Sequence, residues 1–456
     1  MHYCEYLLPL AKRFIDTGDD RYLDAAKMIV RAWIEGNPRS RGGPGWDSYT
    51  VSMRIVWWLA FYGELSETLE CDREFVGVMN ASLVEQYVSL SEHLEKDLLA
   101  NHYLENLKAL VILAAYFADD ETLDIALPQL EAQIEEQVLP DGVHYELSPM
   151  YQKIVLEDLL RVAACLRACA RPSEVIEARL KPMCDFVFSM ELGANRTPLF
   201  NDSGDNVARS VDALLRCAKA RFGIVAEYRG SFPDAGYYLL EGKCAGHAVK
   251  VIFDAGGTCP PYAMGHMHCD ELSLECFIDG KPLVVNCGTY AYQGPERPWF
   301  RSSEASSAVQ IDGREQHECW GGFRTARYGR GTSAVFDEFA ARARFVDHRG
   351  GEAERTVSIE GDSVVIRTAL LSGTDLTCRY HLADGVEGEA DGRAGSSYLC
   401  ALEGVEARLN FEGADNISLV GTRRANEFGL LCEGRTIVAK SFLTQTLTIT
   451  FGEERR

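Results

Sequence analysis

The sequence lacks the features that define two large protein classes. It contains no run of about 20 apolar residues, so nothing in it predicts a membrane-spanning helix. Its N-terminus has no long apolar stretch followed by a small-residue cleavage site, as a secretory signal would. We therefore expect a cytoplasmic protein without a membrane partner, or one whose export signal is not part of this sequence.

Basic charge and patterned cysteines are also scarce. The 456 residues include 46 lysines and arginines against 68 aspartates and glutamates, which gives a formal net charge of −22. A general nucleic-acid binder needs a basic face to displace the counterions of phosphates, so we expect no nucleic-acid partner. The 15 cysteines include no CxxC pair with zinc-ribbon spacing, and this scattered set favours reduced thiols.

The spacing of apolar residues differs between the two halves of the chain. The length of the chain also favours two domains. Residues 1–228 carry apolar residues at intervals of three and four, which predicts helices joined by short loops. Residues 229–456 carry short alternating runs separated by glycine and aspartate, which predicts an antiparallel β-sandwich. The expected fold is therefore multidomain α+β, and a cleft between domains is the default place for a site.

Two histidines one residue apart raise the question of function. His266 and His268 lie in "AMGHMHCDELSLECFIDGKPLVVNCGTY" (263–290), ahead of segments that alternate like strands. On a strand, residues i and i+2 point to the same face. The pair can therefore be metal ligands, acid–base groups or polar residues lining a sheet, and the spacing alone does not decide among them.

The helical half offers candidate residues in two motifs. In "NHYLE" (101–105), Asn101 and Glu105 are four apart with His102 beside them; alone, this pattern favours a helix cap and an ordinary histidine. In "LPDGVHYELSPMYQKIV" (139–155), a turn precedes a helix start and presents Glu146 and Tyr151. Tyrosines near helix ends are usually part of a core edge.

A third motif, "LFNDSGDNVARS" (199–210), is a polar loop. Its Asp202 and Asp205 can bind a metal, hold a sugar or start the following helix. The residues themselves leave these alternatives open.

Taken together with "RPWFRSSEASSAVQIDGREQ" (297–316), these motifs carry a family resemblance. Over about residues 1–330 the chain resembles the heparinase II/III-like polysaccharide lyases. The resemblance implies an N-terminal (α/α) toroid followed by antiparallel sheets, and cleavage of uronic-acid polysaccharides by β-elimination. The family's catalytic positions fall on Asn101, His102, Tyr151 and His266, and its glutamate after the helical histidine falls on Glu105.

The resemblance also bears on a metal. In relatives the second histidine of "H-x-H-x-D" binds a structural zinc with an aspartate of "D-P-G-T-Y" and a histidine of "S-x-x-H-N-T". Here those two positions are Asn286 and Ser306, so that only His268 remains. Zinc prefers several nitrogen, sulfur or carboxylate ligands. We expect no cofactor to be required, with a divalent site at His268 and Asn286 as the weaker alternative.

The implied chemistry assigns roles to these residues. An enzyme that removes the C5 proton of a uronate must neutralise the carboxylate, supply a base and protonate the leaving O4. Asn101, helped by His266, suits the first task. Tyr151 suits the general acid, and His102 or Tyr151 itself suits the base.

The expected partner is an anionic uronate polymer such as heparan sulfate, hyaluronan or chondroitin, and the oligomeric state stays open. Because the chain is acidic overall, such a polymer needs a local lining of cations and sugar platforms. Singly, an ordinary surface or core role is favoured for every candidate except Arg297 and Arg301, which flank Trp299 in one loop. The candidate substrate-binding residues are Glu105, Glu146, Arg209, Tyr290, Tyr292, Arg297, Trp299 and Arg301.

Two other functions compete with the lyase. A glycoside hydrolase on a helical toroid would use a carboxylate pair drawn from Asp141, Glu146, Asp202 and Asp205. An inactive carbohydrate-binding homologue would explain the lost zinc positions. The retention of all four family catalytic positions makes the inactive homologue the least favoured.

Overall fold

The computed structural model describes residues 2–193, 196–332, 334–390, 396–402 and 404–453. Helices dominate the first half of this part of the chain. They are α1 Leu7–Thr17, α2 Asp20–Gly36, α3 Ser48–Glu64, α4 Ser66–Leu69, α5 Arg73–Glu92, α6 Ala100–Phe117, α7 Asp120–Gln137, α8 Pro149–Ala168, α9 Glu174–Ser189, α10 Val211–Phe222 and the later α11 Arg297–Phe300.

Strands follow from Ser231 onward. They are β1 Ser231–Phe232, β2 Tyr237–Cys244, β3 His247–Asp254, β4 Leu274–Ile278, β5 Lys281–Val285, β6 Val309–Ile311, β7 Cys319–Trp320, β8 Arg324–Thr325, β9 Arg330–Gly331, β10 Val335–Phe336, β11 Ala340–Val346, β12 Glu352–Glu360, β13 Ser363–Ser372, β14 Leu376–Leu382, β15 Glu387–Ala390, β16 Ser397–Leu402, β17 Val405–Glu412, β18 Asn416–Glu427, β19 Leu430–Ser441 and β20 Thr444–Glu453.

The chain divides into two compact units. Unit 1 consists of residues 1–136 and 161–176, and unit 2 consists of residues 137–160 and 177–456. The change from helix to strand lies between α10 and β1. The division into domains at residue 228 stays a prediction, since unit 2 also contains helices α8 to α10 in whole or in part. The predicted α+β class, helical first and antiparallel β second, is confirmed.

Unit 1 is a set of packed helices in which α6 is enclosed. The segment "LVILAAYF" is apolar on nearly every side, and residues 107–114 are all buried. A helix that is apolar all round must be covered by other elements, and α3 and α5 both pack on α6. No helix of the described residues is long and apolar enough to cross a membrane.

Unit 2 contains two antiparallel sheets that share one core. One sheet has the order β1-β2-β3-β4-β5-β14-β19-β18 with β6 beside β14, and the other has the order β10-β11-β12-β13-β20-β17-β16-β15 with β9 beside β11. In β17, residues 405, 407, 409 and 411 are buried while their neighbours are half-buried, as period-two alternation predicts. These side chains join buried residues of both sheets in one cluster, which is the packing of a β-sandwich.

Candidate active site

A buried carboxylate is the centre of a polar cluster in unit 2. Asp202 lies in the loop before α10, and its side chain is fully buried. Arg297 pairs with it through both terminal guanidinium nitrogens, while His266 Nδ1 and His268 Nε2 each lie 2.8 Å from a carboxylate oxygen. Thr289 Oγ1 donates from 3.2 Å. Four side chains from distant parts of the sequence thus meet at one carboxylate.

Asp202 is held in its ionised form. Burial by itself would raise the pKa of this carboxyl, but Arg297 and the two histidines hold the pKa well below its usual range. An ionised carboxylate only accepts hydrogen bonds, so His266 must donate from Nδ1 and His268 from Nε2. His266 consequently keeps its other ring nitrogen, Nε2, for a second partner.

Tyr151 joins this cluster from the first turn of α8. Ser148 Oγ accepts from the Tyr151 backbone N–H at 3.1 Å and donates to the carbonyl of Asp202 at 2.6 Å, which ties the helix start to the Asp202 loop. The Tyr151 ring lies against the His266 ring, with centroids 4.1 Å apart. The helix start that the sequence predicts therefore places the tyrosine beside the first histidine.

A second tyrosine contacts the first. The hydroxyls of Tyr151 and Tyr292 are 2.8 Å apart. Burial raises the pKa of Tyr292, so that this phenol keeps its proton. Tyr292 is thereby suited to donate to the Tyr151 oxygen and to stabilise a phenolate there.

The two histidines lie on an irregular segment ahead of β4, so the rule for strand faces does not apply to them. His266 accepts from the Asp202 backbone N–H through its carbonyl at 3.1 Å, and the backbone N–H of His268 donates to Asn201 Oδ1 at 2.9 Å. Both rings turn to the same carboxylate because backbone hydrogen bonds anchor the segment to the Asp202 loop.

In unit 1, the residues of "NHYLE" lie at the start of α6. The N-cap is Leu99 and the helix begins at Ala100, both with positive φ (57° and 48°), so the cap role considered for Asn101 is wrong. Asn101 is buried, and its side-chain amide makes no hydrogen bond to the described residues. The positive φ angles of Leu99 and Ala100 are a local backbone strain, which costs about 1–3 kcal/mol per residue and is frequent at functional sites.

The two neighbours of Asn101 have protein partners. The His102 ring is about two-fifths exposed, lies 4.6 Å from the Tyr49 ring and has Nδ1 3.2 Å from Glu95 Oε1. Glu105 is buried and paired with Lys108 one turn along the helix. Glu105 is therefore a structural residue, and the substrate-binding role expected for it is not supported.

Arg297 and Arg301 are buried instead of lining a surface. Arg297 neutralises Asp202, and Arg301 donates to the backbone carbonyls of Met264, Met267, Gly322 and Arg324 and to Thr325 Oγ1. A guanidinium whose N–H donors are used by protein acceptors in this way cannot also donate to the anionic groups of a polysaccharide. Our expectation that these two residues bind substrate directly is therefore corrected: they hold loops together.

The remaining acidic and basic candidates of the lining are engaged locally. Glu146 is buried, with Oε2 3.8 Å from His144 Nδ1. Arg209 is half-buried, and its Nε donates to Glu157 at 3.4 Å. Substrate binding by either residue stays a prediction.

The aromatic candidates have different surroundings. Tyr292 contacts Tyr151 as described, so its hydroxyl has a partner in the candidate acid–base residue, and sugar binding by its ring stays a prediction. Tyr290 is half-buried and stacks on Phe300, with 6.2 Å between ring centroids. Trp299 is half-buried below the guanidinium of Arg423 and lines a groove of about 730 Å³. Sugar binding by Tyr290 and Trp299 stays a prediction.

The expected metal residues do not fit a zinc centre. The Nε2 of His268 is used by Asp202, and the Asn286 carbonyl oxygen accepts from the Ser307 backbone N–H at 2.8 Å. The free end of Asn286 is then an amide NH₂, which is a donor and not a ligand. Among the described residues, no three His, Cys, Asp or Glu side chains are grouped as metal ligands.

The carboxylates considered for a hydrolase anchor loops. Asp141 accepts from the backbone N–H groups of Asp234 and Ala235 at 2.9 and 3.0 Å, and Asp205 accepts from that of Thr197 at 2.6 Å. With Asp202 committed to Arg297, the pair that hydrolysis needs is not assembled from these residues.

The central role of Asp202 and the contact made by Phe323 escaped the sequence analysis. The "NDSGD" motif identified Asp202 as a polar loop residue, but it gave no sign of the side chains that contact it. One of them, Arg297, is 95 residues away in the sequence. Phe323 follows two glycines in "WGGF", and its ring centroid lies 6.0 Å from that of His266. A glycine pair beside an aromatic residue was the available signal.

Comparison with known proteins agrees with the resemblance. The heparinase II/III N-terminus model matches residues 1–224, and the heparinase II/III-like C-terminal model matches residues 226–438. A heparin-sulfate lyase of Bacteroides thetaiotaomicron is 20% identical over 79% of this chain and 60% of its own length. That of Pedobacter heparinus is 22% identical over 68% of this chain and 51% of its own.

A solved structure shares the fold. The crystal structure of heparinase III superposes with a TM-score of 0.79 at 16% identity, covering 100% of this chain and 77% of that one. At this identity the superposition supports the fold alone. The chain spans only half to three-fifths of the length of the two curated relatives it matches.

Proposed function

Because the chain belongs to the heparinase II/III-like family, we propose that it is a polysaccharide lyase that cleaves uronic-acid-containing polysaccharides by β-elimination. The observation that carries the proposal is the contact of Tyr151 with both His266 and Tyr292 above the buried Asp202 carboxylate. This arrangement offers a phenol as proton donor beside an imidazole of fixed tautomer. Both are groups that elimination requires.

In the proposed reaction, the C5 proton of the uronate leaves to a base and the C4–O4 bond breaks. A C4–C5 double bond forms, and Tyr151 protonates the departing O4. Asp202 accepts from His266 Nδ1 and fixes the orientation of the ring, so that Nε2 is the ring nitrogen left to meet the substrate carboxylate. Tyr292 donates to the Tyr151 oxygen after its proton has left.

For the residues of unit 1 we propose the roles that the family resemblance implies. Asn101 donates its amide to the uronate carboxylate, which agrees with the lack of a hydrogen-bond partner among the described residues. His102 is the base for one configuration at C5, and Tyr151 itself is the base for the other. None of these steps uses a cofactor.

The proposed substrates are anionic polymers, with heparan sulfate first. Two relatives are named heparin-sulfate lyases, and a structural neighbour with a TM-score of 0.51 is a chondroitinase AC lyase. Chondroitin therefore follows as the second choice, and hyaluronan completes the panel as a third uronate polymer.

The test is a panel of these polysaccharides incubated with the protein and with Tyr151→Phe. We expect ultraviolet absorbance of the unsaturated product from at least one polymer with the parent protein and strong loss with the variant. New reducing ends without this absorbance would identify a hydrolase and overturn the proposal. Binding without any cleavage would identify the inactive homologue.

A further inference from the structure

An exposed tryptophan and an arginine stand together at the tip of a small hairpin in unit 2. Strands β7 and β8 are joined by the three residues Gly321–Phe323, and Trp320 pairs with Arg324 across the hairpin. Trp320 is 53% exposed, and the Arg324 guanidinium lies 5.1 Å from its ring centre. Arg324 is itself exposed and makes no ion pair with the described residues. Large aromatic surface left in water beside an unpaired cation fits a ligand better than it fits a core.

Two buried arginines hold the hairpin in place: Arg297, the first residue of α11, and Arg301, which follows the last residue of that helix. Arg301 donates to the Gly322 and Arg324 carbonyls at 3.4 and 3.2 Å and to Thr325 Oγ1 at 3.2 Å. Arg297 Nε donates to the Gly322 carbonyl at 2.9 Å while its other nitrogens hold Asp202. The same side chain that neutralises the cluster therefore also fixes the hairpin.

The turn brings the hairpin against the candidate catalytic residues. The Phe323 ring centroid lies 6.0 Å from that of His266 and 5.4 Å from that of Tyr292. A Cβ atom at Gly322 would lie 2.9 Å from the Tyr292 carbonyl oxygen, so only glycine permits this approach. A four-residue turn keeps its end Cα atoms within about 7 Å, which places Trp320 close to Phe323.

We propose that Trp320 and Arg324 form a substrate subsite that binds an acidic sugar residue next to the cleaved linkage. The tryptophan face packs on the apolar face of the ring, and the guanidinium donates to a carboxylate or sulfate with its planar fork of N–H groups. The proposal rests on the proposed lyase function, because it names the part of the site that holds the neighbouring sugar. Arg324 thus supplies the surface cation that the buried Arg297 and Arg301 do not supply, and Trp320 supplies the platform beside it.

Another arginine near the hairpin provides a matched control. Arg327 follows β8, is exposed, and is paired with Glu318, with Nε 2.7 Å from Oε2. Arg324→Gln and Arg327→Gln remove the same charge from neighbouring positions. Only the first removes a cation that makes no ion pair with the described residues.

The experiment measures calorimetric binding of a heparan sulfate hexasaccharide in a Tyr151→Phe background, so that no turnover is needed. We expect Arg324→Gln and Trp320→Ala each to weaken binding about tenfold, and Arg327→Gln to change it less than about twofold. Thermal melting of each variant should match the background, because the two side chains are exposed.

The outcomes separate this subsite from the lyase proposal. Equal affinities in Arg324→Gln and Arg327→Gln, or no loss in Trp320→Ala, would overturn the subsite while the activity of the parent protein stands. Absence of binding in the Tyr151→Phe background would overturn the substrate class and the subsite with it. Loss confined to Arg324→Gln and Trp320→Ala would support the subsite even if cleavage were slow.

Discussion

The Asp202 cluster of unit 2 and the start of α6 in unit 1 are both polar and buried, yet they are built in opposite ways. In the cluster, four side chains donate hydrogen bonds to the Asp202 carboxylate. At the helix start, the Asn101 amide has no partner among the described residues, and the backbone enters through two left-handed residues. The first arrangement stabilises the fold, whereas the second stores strain and leaves a donor available. Substitutions of the partners of Asp202 should therefore cost stability, with a loss of rate only where the side chain also contacts Tyr151, whereas substitution of Asn101 should cost rate alone.

The largest effect on rate is expected for Tyr151→Phe. The change removes one hydroxyl at the edge of the cluster and keeps the ring against His266. General acid–base groups contribute about 100- to 10,000-fold, and we expect a loss of that size in kcat with little change in melting temperature. Activity within a few-fold of the parent would remove Tyr151 from the mechanism.

The largest effect on stability is expected for Asp202→Asn. It leaves the buried Arg297 without its counter-charge, and breaking such a pair costs about 3–5 kcal/mol of unfolding free energy. Urea unfolding at neutral pH measures this loss directly. A loss below about 1 kcal/mol would show that the cluster is not the stabilising region we describe.

The same variant gives a pH test. Because the folded pKa of Asp202 is lowered, its contribution is present above the unfolded value of about 3.9 and is lost as pH falls through the folded pKa. The parent protein should therefore keep its advantage over Asp202→Asn from neutral pH down to about pH 4, and lose it only in stronger acid. An advantage that vanishes between about pH 7 and pH 5 would contradict the lowered pKa.

Asn101→Ala should do the reverse and reduce rate without loss of stability. Removing one donor to developing charge costs about 100- to 1,000-fold in related chemistry. Asn106, which lies further along the same helix, is the control, since its side chain bonds Ser52 and Glu95. We expect Asn106→Ala to lower unfolding free energy by about 1–3 kcal/mol. A comparable loss in Asn101→Ala would show that its amide is structural.

The smallest effects separate the two histidines. Both donate to Asp202, so His266→Ala and His268→Ala should each lower unfolding free energy by about 1–3 kcal/mol. Only His266→Ala should also depress the rate, because its ring lies against Tyr151. Equal rates in the two variants would contradict this division of roles. In a separate test, a melting temperature that falls when a chelator is added would contradict our conclusion that His268 and Asn286 do not form a zinc site.

The sequence by itself determined the kinds of elements and their order. Apolar spacing of three to four predicted a helical first half, and α6, from Ala100 to Phe117, is one of its helices. Period-two alternation predicted an antiparallel β region after residue 228, and β17 shows that alternation in its burial. Periodicity is a local property, because neighbours on one face of an element are at most four residues apart. The family motifs were likewise legible, since each is a short continuous string.

Only the tertiary structure decided what the individual side chains do. Arg297 meets Asp202 across 95 residues, and Tyr151 meets Tyr292 across 141, separations over which no local pattern carries information. Burial then inverted expectations: the two arginines predicted to grip a polymer are enclosed and hold loops, while the unremarked Trp320 and Arg324 are exposed. The charge of a guanidinium is visible in a sequence, but its partner and its exposure exist only once distant segments have packed.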